Sequence, residues 1–236
     1  MLYHCAKLCR TVQCRYWHQT RVASKLSAAE ILSAERFNKC IECTRVSPAI
    51  SMQWGKTGVE AAVLVPVCTD EKGEVSLLYT RRSGKLSRHV RQVSFPGGIK
   101  DPTDASYEDC ALRETEEEIG LPRSRVKICG IGKLLHPPRG AAIMPVFGII
   151  ENFSTSELTI NPDEVDEAFT LPLSKLSSEA HRYHTQFRDG YSAPVFLVGT
   201  NKVWGITGVI THNFLSCLLP DIYSRKIPYV KSYRTA

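Results

Sequence analysis

The segment Arg113-Glu114-Thr115-Glu116-Glu117-Glu118-Ile119-Gly120 places four carboxylates within five residues. If it is helical up to the Gly120 stop, Glu114, Glu117 and Glu118 stand at i, i+3 and i+4 and share one face within about a turn. A helix C-terminus carries partial negative charge, so stability alone would put Lys or Arg in the last turn. Like charges at these spacings add a repulsive cost of their own. A divalent cation would offset both, because hard cations take oxygen ligands and carboxylates provide them. A solvated acidic helix face is the competing reading of the same run.

Several elements must position these groups. The periodicity predicts a helix from about residues 104–107 to Gly120, with Ala111, Leu112, Thr115 and Ile119 forming the stripe that lies on a sheet and the glutamates facing elsewhere. Residues 61–68 form a nearly continuous apolar run and predict a buried strand, with Pro66 marking an edge or a bend. A turn at 70–73 and a strand at 75–79 complete a hairpin; 81–91 is a polar, basic loop, and 93–95 a short strand stopped by Pro96-Gly97-Gly98. Further strands are expected at 126–135, 142–150, 169–171 and 193–198, and a closing helix at 204–218 before Pro220. Residues 181–191 give no clear signal. Ser27-Ala28-Ala29-Glu30 is a capping box that opens a helix to about residue 43. The elements together predict an α/β sandwich with a mixed β-sheet.

A chain of 236 residues with 43% hydrophobic content can bury one substantial core. The apolar run at 61–68 falls far short of the roughly 18 residues that a membrane span needs. The layout expected is a leader at 1–26, a helix and linker at 27–55, the main domain at 56–220 and a tail at 221–236. Of the net charge of +6, five units come from Lys7, Arg10, Arg15, Arg21 and Lys25 in a leader that has no Asp or Glu. A basic, acid-free leader interleaved with Leu2, Tyr3, Leu8, Val12, Tyr16 and Trp17 reads as a mitochondrial transit peptide. A basic arm that touches RNA or membrane is the other reading. The remainder is nearly neutral, which argues against an extended nucleic-acid footprint. Cys40-x-x-Cys43 has no second pair at zinc-finger spacing, and the nine cysteines read as reduced intracellular thiols.

Residues 97–121 resemble the Nudix box of hydrolases that cleave a nucleoside diphosphate joined to another group. Gly98, Arg113, Glu114, Glu117, Glu118, Gly120 and Leu121 match its pattern; Asp104 stands where the pattern has Glu, one residue too far from Arg113. The resemblance implies a Nudix-type α/β/α sandwich with a catalytic loop-helix-loop. It also implies that Gly98, Glu114, Glu117 and Glu118 hold Mg²⁺ or Mn²⁺ and that Arg113 fixes a carboxylate in its working rotamer; Asp104 and Glu116 stay outside the ligand set. Glu117, Glu164 and Glu167 are the candidates for general base, with Glu117 and Glu164 favoured.

A longer resemblance, over about residues 59–218, is to the coenzyme A diphosphatase branch of this family, and to its mitochondrial animal members in particular. It is carried by Leu77-Leu78-Tyr79-Thr80-Arg81-Arg82-Ser83, Leu86, His89, Gln92 to Gly98, Asn161, Glu164-Val165, Phe169, Pro172-Leu173, Pro194-Val195-Phe196 and Val203 to Thr207. Arg91 departs from it, since this branch usually has Gly there. The substrate implied is coenzyme A or an acyl-coenzyme A, cleaved to 3′,5′-ADP and (acyl-)4′-phosphopantetheine. Arg81, Arg82, Lys85 and Arg88 are then the expected readers of the substrate's phosphates, against the alternative of an ordinary solvated basic loop. His89 and Trp204 read as structural residues. A Nudix hydrolase of ADP-ribose, NADH or a nucleoside triphosphate, and a nucleotide-binding module without turnover, are the alternatives. The oligomeric state, monomer or homodimer, is open.

Overall fold

The computed structural model describes residues 27–47, 58–87, 89–137, 140–186 and 192–224. The expected leader, most of the linker, Arg88 and the end of the tail lie outside the described residues. Strand β1 (Glu60–Thr69) runs through the middle of the main sheet. On one edge it pairs with β6 (Ala142–Ile150) in parallel, from Glu60 opposite Ala142 to Cys68 opposite Ile150. On the other edge it is antiparallel first to β4 (Gly97–Ile99) and then to β2 (Val75–Arg82). Strands β3 (Val93–Ser94) and β7 (Val165–Pro172) join β2, and β5 (Lys127–Ile131) joins β6. One parallel pair among antiparallel neighbours makes the sheet mixed.

Pro66 therefore sits in a central strand, not at an edge. The Leu64 N–H donates to the Pro96 carbonyl at 2.8 Å. The backbone nitrogen two residues on points to the same side, where β1 passes from β4 to β2. The donor that proline lacks falls in that gap, so no ladder bond is lost.

The alternation of β1 divides the core in two. Ala62, Leu64 and Cys68 face helix α3 (Tyr107–Ile119) with Cys110, Ala111 and Ile119. Val65 and Val67 face the opposite layer, which holds α2 (Ala34–Val46), the short α4 (Leu173–Leu176) and α5 (Gly205–Leu218). The Tyr79 and Thr211 hydroxyls bond across this layer at 3.0 Å, and Phe147 stacks on Phe214 at 5.2 Å between centroids. The result is the expected α/β/α sandwich. A second sheet, β8 (Arg182–Gln186), β9 (Ser192–Val198) and β10 (Asn201–Val203), packs beside α5.

The N-terminal helix expected over 27–43 is broken into α1 (Ala28–Ile31) and α2, because Ser33 caps a new helix by accepting from the Arg36 N–H. Phe37, Cys40 and Ile41 enter the same core as the strands. The thiol reading needs correction here: Cys43 of α2 and Cys217 of α5 form a disulfide, whereas Cys40, Cys68, Cys110 and Cys129 are free. Among the described residues, no helix is long and apolar enough to cross a membrane.

Candidate active site

Helix α3 presents the acidic face, and its limits follow from local chemistry. The Ser106 hydroxyl accepts from the Asp109 N–H at the start, and Gly120 ends the helix in the left-handed conformation, φ 66°. Cys110, Ala111, Thr115 and Ile119 are buried against the sheet. Glu118 is buried with them, 3% exposed, which the expectation that all glutamates face away did not foresee.

A glycine pair on β4 lets the strand approach the helix. At Gly97, φ 145°, an added Cβ would collide with the Ala62 carbonyl oxygen. At Gly98 it would run into the Glu114 carboxylate. The Gly97 N–H donates to Glu118 Oε2 at 3.2 Å, so strand and helix are joined at the buried carboxylate.

Arg113 is the hub of the acidic face. Its Nη1 donates to Glu114 Oε1 at 2.9 Å and to Glu117 Oε2 at 3.0 Å. Its Nε and Nη2 donate to the two oxygens of Asp104 at 2.8 and 2.9 Å. This two-pronged bond holds the Asp104 carboxyl far below the usual carboxylate range. The extra residue before Arg113 is taken up in a turn in which the Asp104 N–H donates to the Asp101 carbonyl at 3.0 Å. Asp104 thus meets the arginine rather than joining the carboxylates around Gly98.

Two carboxyls on this face resist ionisation. Burial pushes Glu118 up to about 8, against the lowering effects of the Gly97 N–H and Arg82, with Glu114 and Glu164 adding repulsion. Burial also raises Glu114, opposed by Arg113 and reinforced by Glu117 and Glu164. Glu164 lies within electrostatic reach of both carboxyls, and its backbone carbonyl accepts from the Ser83 N–H at 2.8 Å.

The basic residues divide by what they touch. Arg81 donates to Glu167 at 3.2 Å and to Asn201 at 2.5 Å and lies over the Phe169 ring, bracing the main sheet against β10. Lys85 pairs with Asp163 at 2.8 Å on the surface. Of the expected substrate readers among the described residues, Arg82 alone faces the helix: its Nη1 stands 3.9 Å from Glu118 Oε1, and its buried Nε has no hydrogen-bond partner there. Trp204 precedes α5 half-buried, with Lys202 Nζ 5.0 Å from its ring centre.

A family model described as the NUDIX domain matches residues 59–191, more than half of the chain. The chain belongs to the Nudix hydrolase family. It is 38% identical over 192 residues to the mitochondrial coenzyme A diphosphatase NUDT8 of Homo sapiens, covering 79% of this chain and 81% of that protein. The Mus musculus protein of the same name is 41% identical over 168 residues, covering 69% of this chain and 80% of its own length. Nudix hydrolase 3 of Caenorhabditis elegans is 35% identical over 184 residues, covering 70% of this chain and 76% of its own length.

Nudix hydrolases generally use divalent metal ions, and the donor set here suits one in chemistry: three carboxylates and the Gly98 carbonyl are all hard oxygens. Burial, with repulsion from neighbouring glutamates added, raises the carboxyls of Glu114 and Glu118, and a cation would favour their charged form. As the side chains stand, however, no three His, Cys, Asp or Glu groups among the described residues are gathered closely enough to hold an ion. Glu114 already lies against Gly98, whereas Arg113 holds one oxygen each of Glu114 and Glu117. The sequence reading named Glu164 and Glu167 as candidate bases but missed the partnership of Asp104 with Arg113 and the pairing of Asp163, Asp166 and Glu167 with the end of β2 and its loop; the run Asp163-Glu164-Val165-Asp166-Glu167 was the available signal.

Proposed function

We propose that this Nudix hydrolase cleaves the diphosphate of coenzyme A and its thioesters, giving 3′,5′-ADP and 4′-phosphopantetheine or the acyl form, with Mg²⁺ or Mn²⁺, in the mitochondrial matrix. The observation that carries the diphosphate part is the meeting of Arg82 with the acidic face. A guanidinium 3.9 Å from Glu118, on a side chain that is 29% exposed, brings donors for a phosphoryl oxygen beside a set of metal-suited carboxylates. The coenzyme A part is supported by the relatives named mitochondrial coenzyme A diphosphatase.

Gly98, Glu114, Glu117 and Glu118 would hold the ion, which supplies neutralisation of the diphosphate charge and a more acidic water. Arg113 sets the orientation of Glu114 and Glu117 and is itself locked by Asp104. Glu117, whose side chain is 51% exposed, can reach a water at the surface of the site, and Glu164 can approach from the β7 side; these two are the candidates to take its proton. Arg82 steadies the phosphoryl group under attack, and Lys85 lies farther out on the rim of the same loop. Arg81, committed to Glu167 and Asn201, contributes by holding the end of β2 in place.

A panel of coenzyme A, acyl-coenzyme A, ADP-ribose, NADH and nucleoside triphosphates, each with Mg²⁺ and with Mn²⁺, tests this function. The largest kcat/KM should fall on a coenzyme A species; a larger value on ADP-ribose or NADH would replace the substrate assignment. For the localisation, a reporter fused to residues 1–30 should enter mitochondria, and a cytosolic reporter would refute the matrix assignment.

A further inference from the structure

Arg91 stands at the base of the 83–92 loop that links β2 to β3. Its N–H donates to the Arg82 carbonyl at 3.1 Å, and the Arg82 N–H donates to the Gln92 carbonyl at 3.0 Å, so the ends of the loop are closed by backbone bonds. Among the described residues of the loop, two that are not glycine hold left-handed backbone, His89 at φ 55° and Arg91 at φ 56°. That region is unfavourable for a residue with a Cβ and free for glycine. A glycine would make the same turn without cost; an arginine accepts the cost and sets a guanidinium on the rim.

The guanidinium lies beside Gly84, in the neighbourhood of the Asp166 carboxylate that accepts from the Gly84 N–H. A Cβ added at Gly84 would lie 3.5 Å from Arg91 Nε, 3.8 Å from Nη2 and 3.9 Å from Asp166 Oδ2. The other described cations around the loop already face carboxylates, Arg81 with Glu167, Lys85 with Asp163 and Arg82 with Glu118. Arg91 is exposed and, among the described residues, forms no ion pair.

We propose that Arg91 is a specificity-determining residue that binds an anionic group of the substrate set apart from the diphosphate. On the coenzyme A reading, on which this inference rests, that group is the 3′-phosphate. Arg82 turns its guanidinium toward the acidic helix, and Arg91, whose N–H donates to the Arg82 carbonyl across the loop base, adds a second, exposed guanidinium beside Gly84. A planar guanidinium suits a terminal phosphate because it can donate two parallel hydrogen bonds to it.

The test compares coenzyme A with its 3′-dephospho form as substrates of the full chain and of Arg91→Gly and Arg91→Lys. The wild type should show the lower KM for coenzyme A. Arg91→Gly should raise that KM roughly 10-fold, the loss of one charge-assisted contact, while kcat and the KM for the dephospho form stay within about twofold. Its Tm should be equal or higher, because the backbone strain is gone, and Arg91→Lys should recover part of the discrimination. If the wild type cleaves both compounds and Arg91→Gly leaves the ratio of their KM values unchanged, this inference is overturned alone. If the wild type cleaves neither, the coenzyme A reading falls and this inference with it.

Discussion

Arg113 and Asp104 are joined by two hydrogen bonds, Nε to Oδ1 at 2.8 Å and Nη2 to Oδ2 at 2.9 Å, with the aspartate side chain 2% exposed. The same guanidinium holds Glu114 and Glu117, so Asp104 acts on the acidic face through Arg113. Asp104→Ala should lower stability by about 2 kcal/mol, less than a fully buried pair because Arg113 is partly solvated. It should also reduce kcat at least about 10-fold by freeing Arg113 to turn. Denaturant melts and steady-state kinetics check both; a variant with wild-type kcat would show that Arg113 needs no anchor.

Glu117→Gln should remove nearly all turnover, on the order of 1,000-fold or more in kcat, because the residue is assigned both to the ion and to proton transfer. Its side chain is half exposed, so the melting temperature should change little. Retention of more than a tenth of the activity would remove Glu117 from the site.

Glu118 supplies a pH signature. Its folded pKa of about 8 lies well above the roughly 4.3 of an unfolded glutamate. Between those values the folded chain keeps a proton that the unfolded chain has lost, so this contribution to stability is complete below the unfolded pKa and is lost as pH rises through the folded one. Metal-free protein should melt at falling temperature from about pH 5 to pH 8.5, and Mg²⁺ or Mn²⁺ should flatten the fall by favouring the ionised carboxylate. Melts with chelator and with either ion decide it; equal slopes under both conditions would mean that Glu118 does not meet the ion.

The Cys43–Cys217 disulfide joins residues 174 apart, with Cα atoms 5.6 Å from each other, and fastens α2 to α5. A loop of that length closed in the unfolded chain corresponds to about 5 kcal/mol in the chain-entropy account. For a domain of this size that is a Tm shift of about 10 °C or more. Reduction should lower the Tm of the wild type by that order and leave Cys217→Ser unchanged. An identical Tm with and without reductant would show that the clasp adds no stability in solution.

What the sequence revealed follows how local each signal is. Helix α3 was legible because the Gly120 stop and the apolar stripe lie within the segment itself, and the strand over residues 142–150 was bounded correctly because its apolar run is continuous. Strands β4 and β10 span three residues each and exist through their partners, so no periodicity could announce them. The burial of Glu118 depends on β4 crossing the helix at Gly97, and the Cys43–Cys217 bond depends on two helices at opposite ends of the chain. The pairing of Lys85 with Asp163 and Arg81 with Glu167 likewise joins β2 and its loop to a segment some eighty residues later. The acidic face could be read from spacing and the hold of Arg113 on a carboxylate from the resemblance, but that one guanidinium takes Glu114, Glu117 and Asp104 together could not.

The substrate assignment is tested most directly by incubating the purified full chain with coenzyme A and either Mg²⁺ or Mn²⁺ and identifying products by mass spectrometry, with Glu117→Gln alongside. The expected result is 3′,5′-ADP and 4′-phosphopantetheine in equal amounts from the wild type and neither from the variant. Intact coenzyme A with both metals, under conditions in which another nucleoside diphosphate derivative is cleaved, would contradict it.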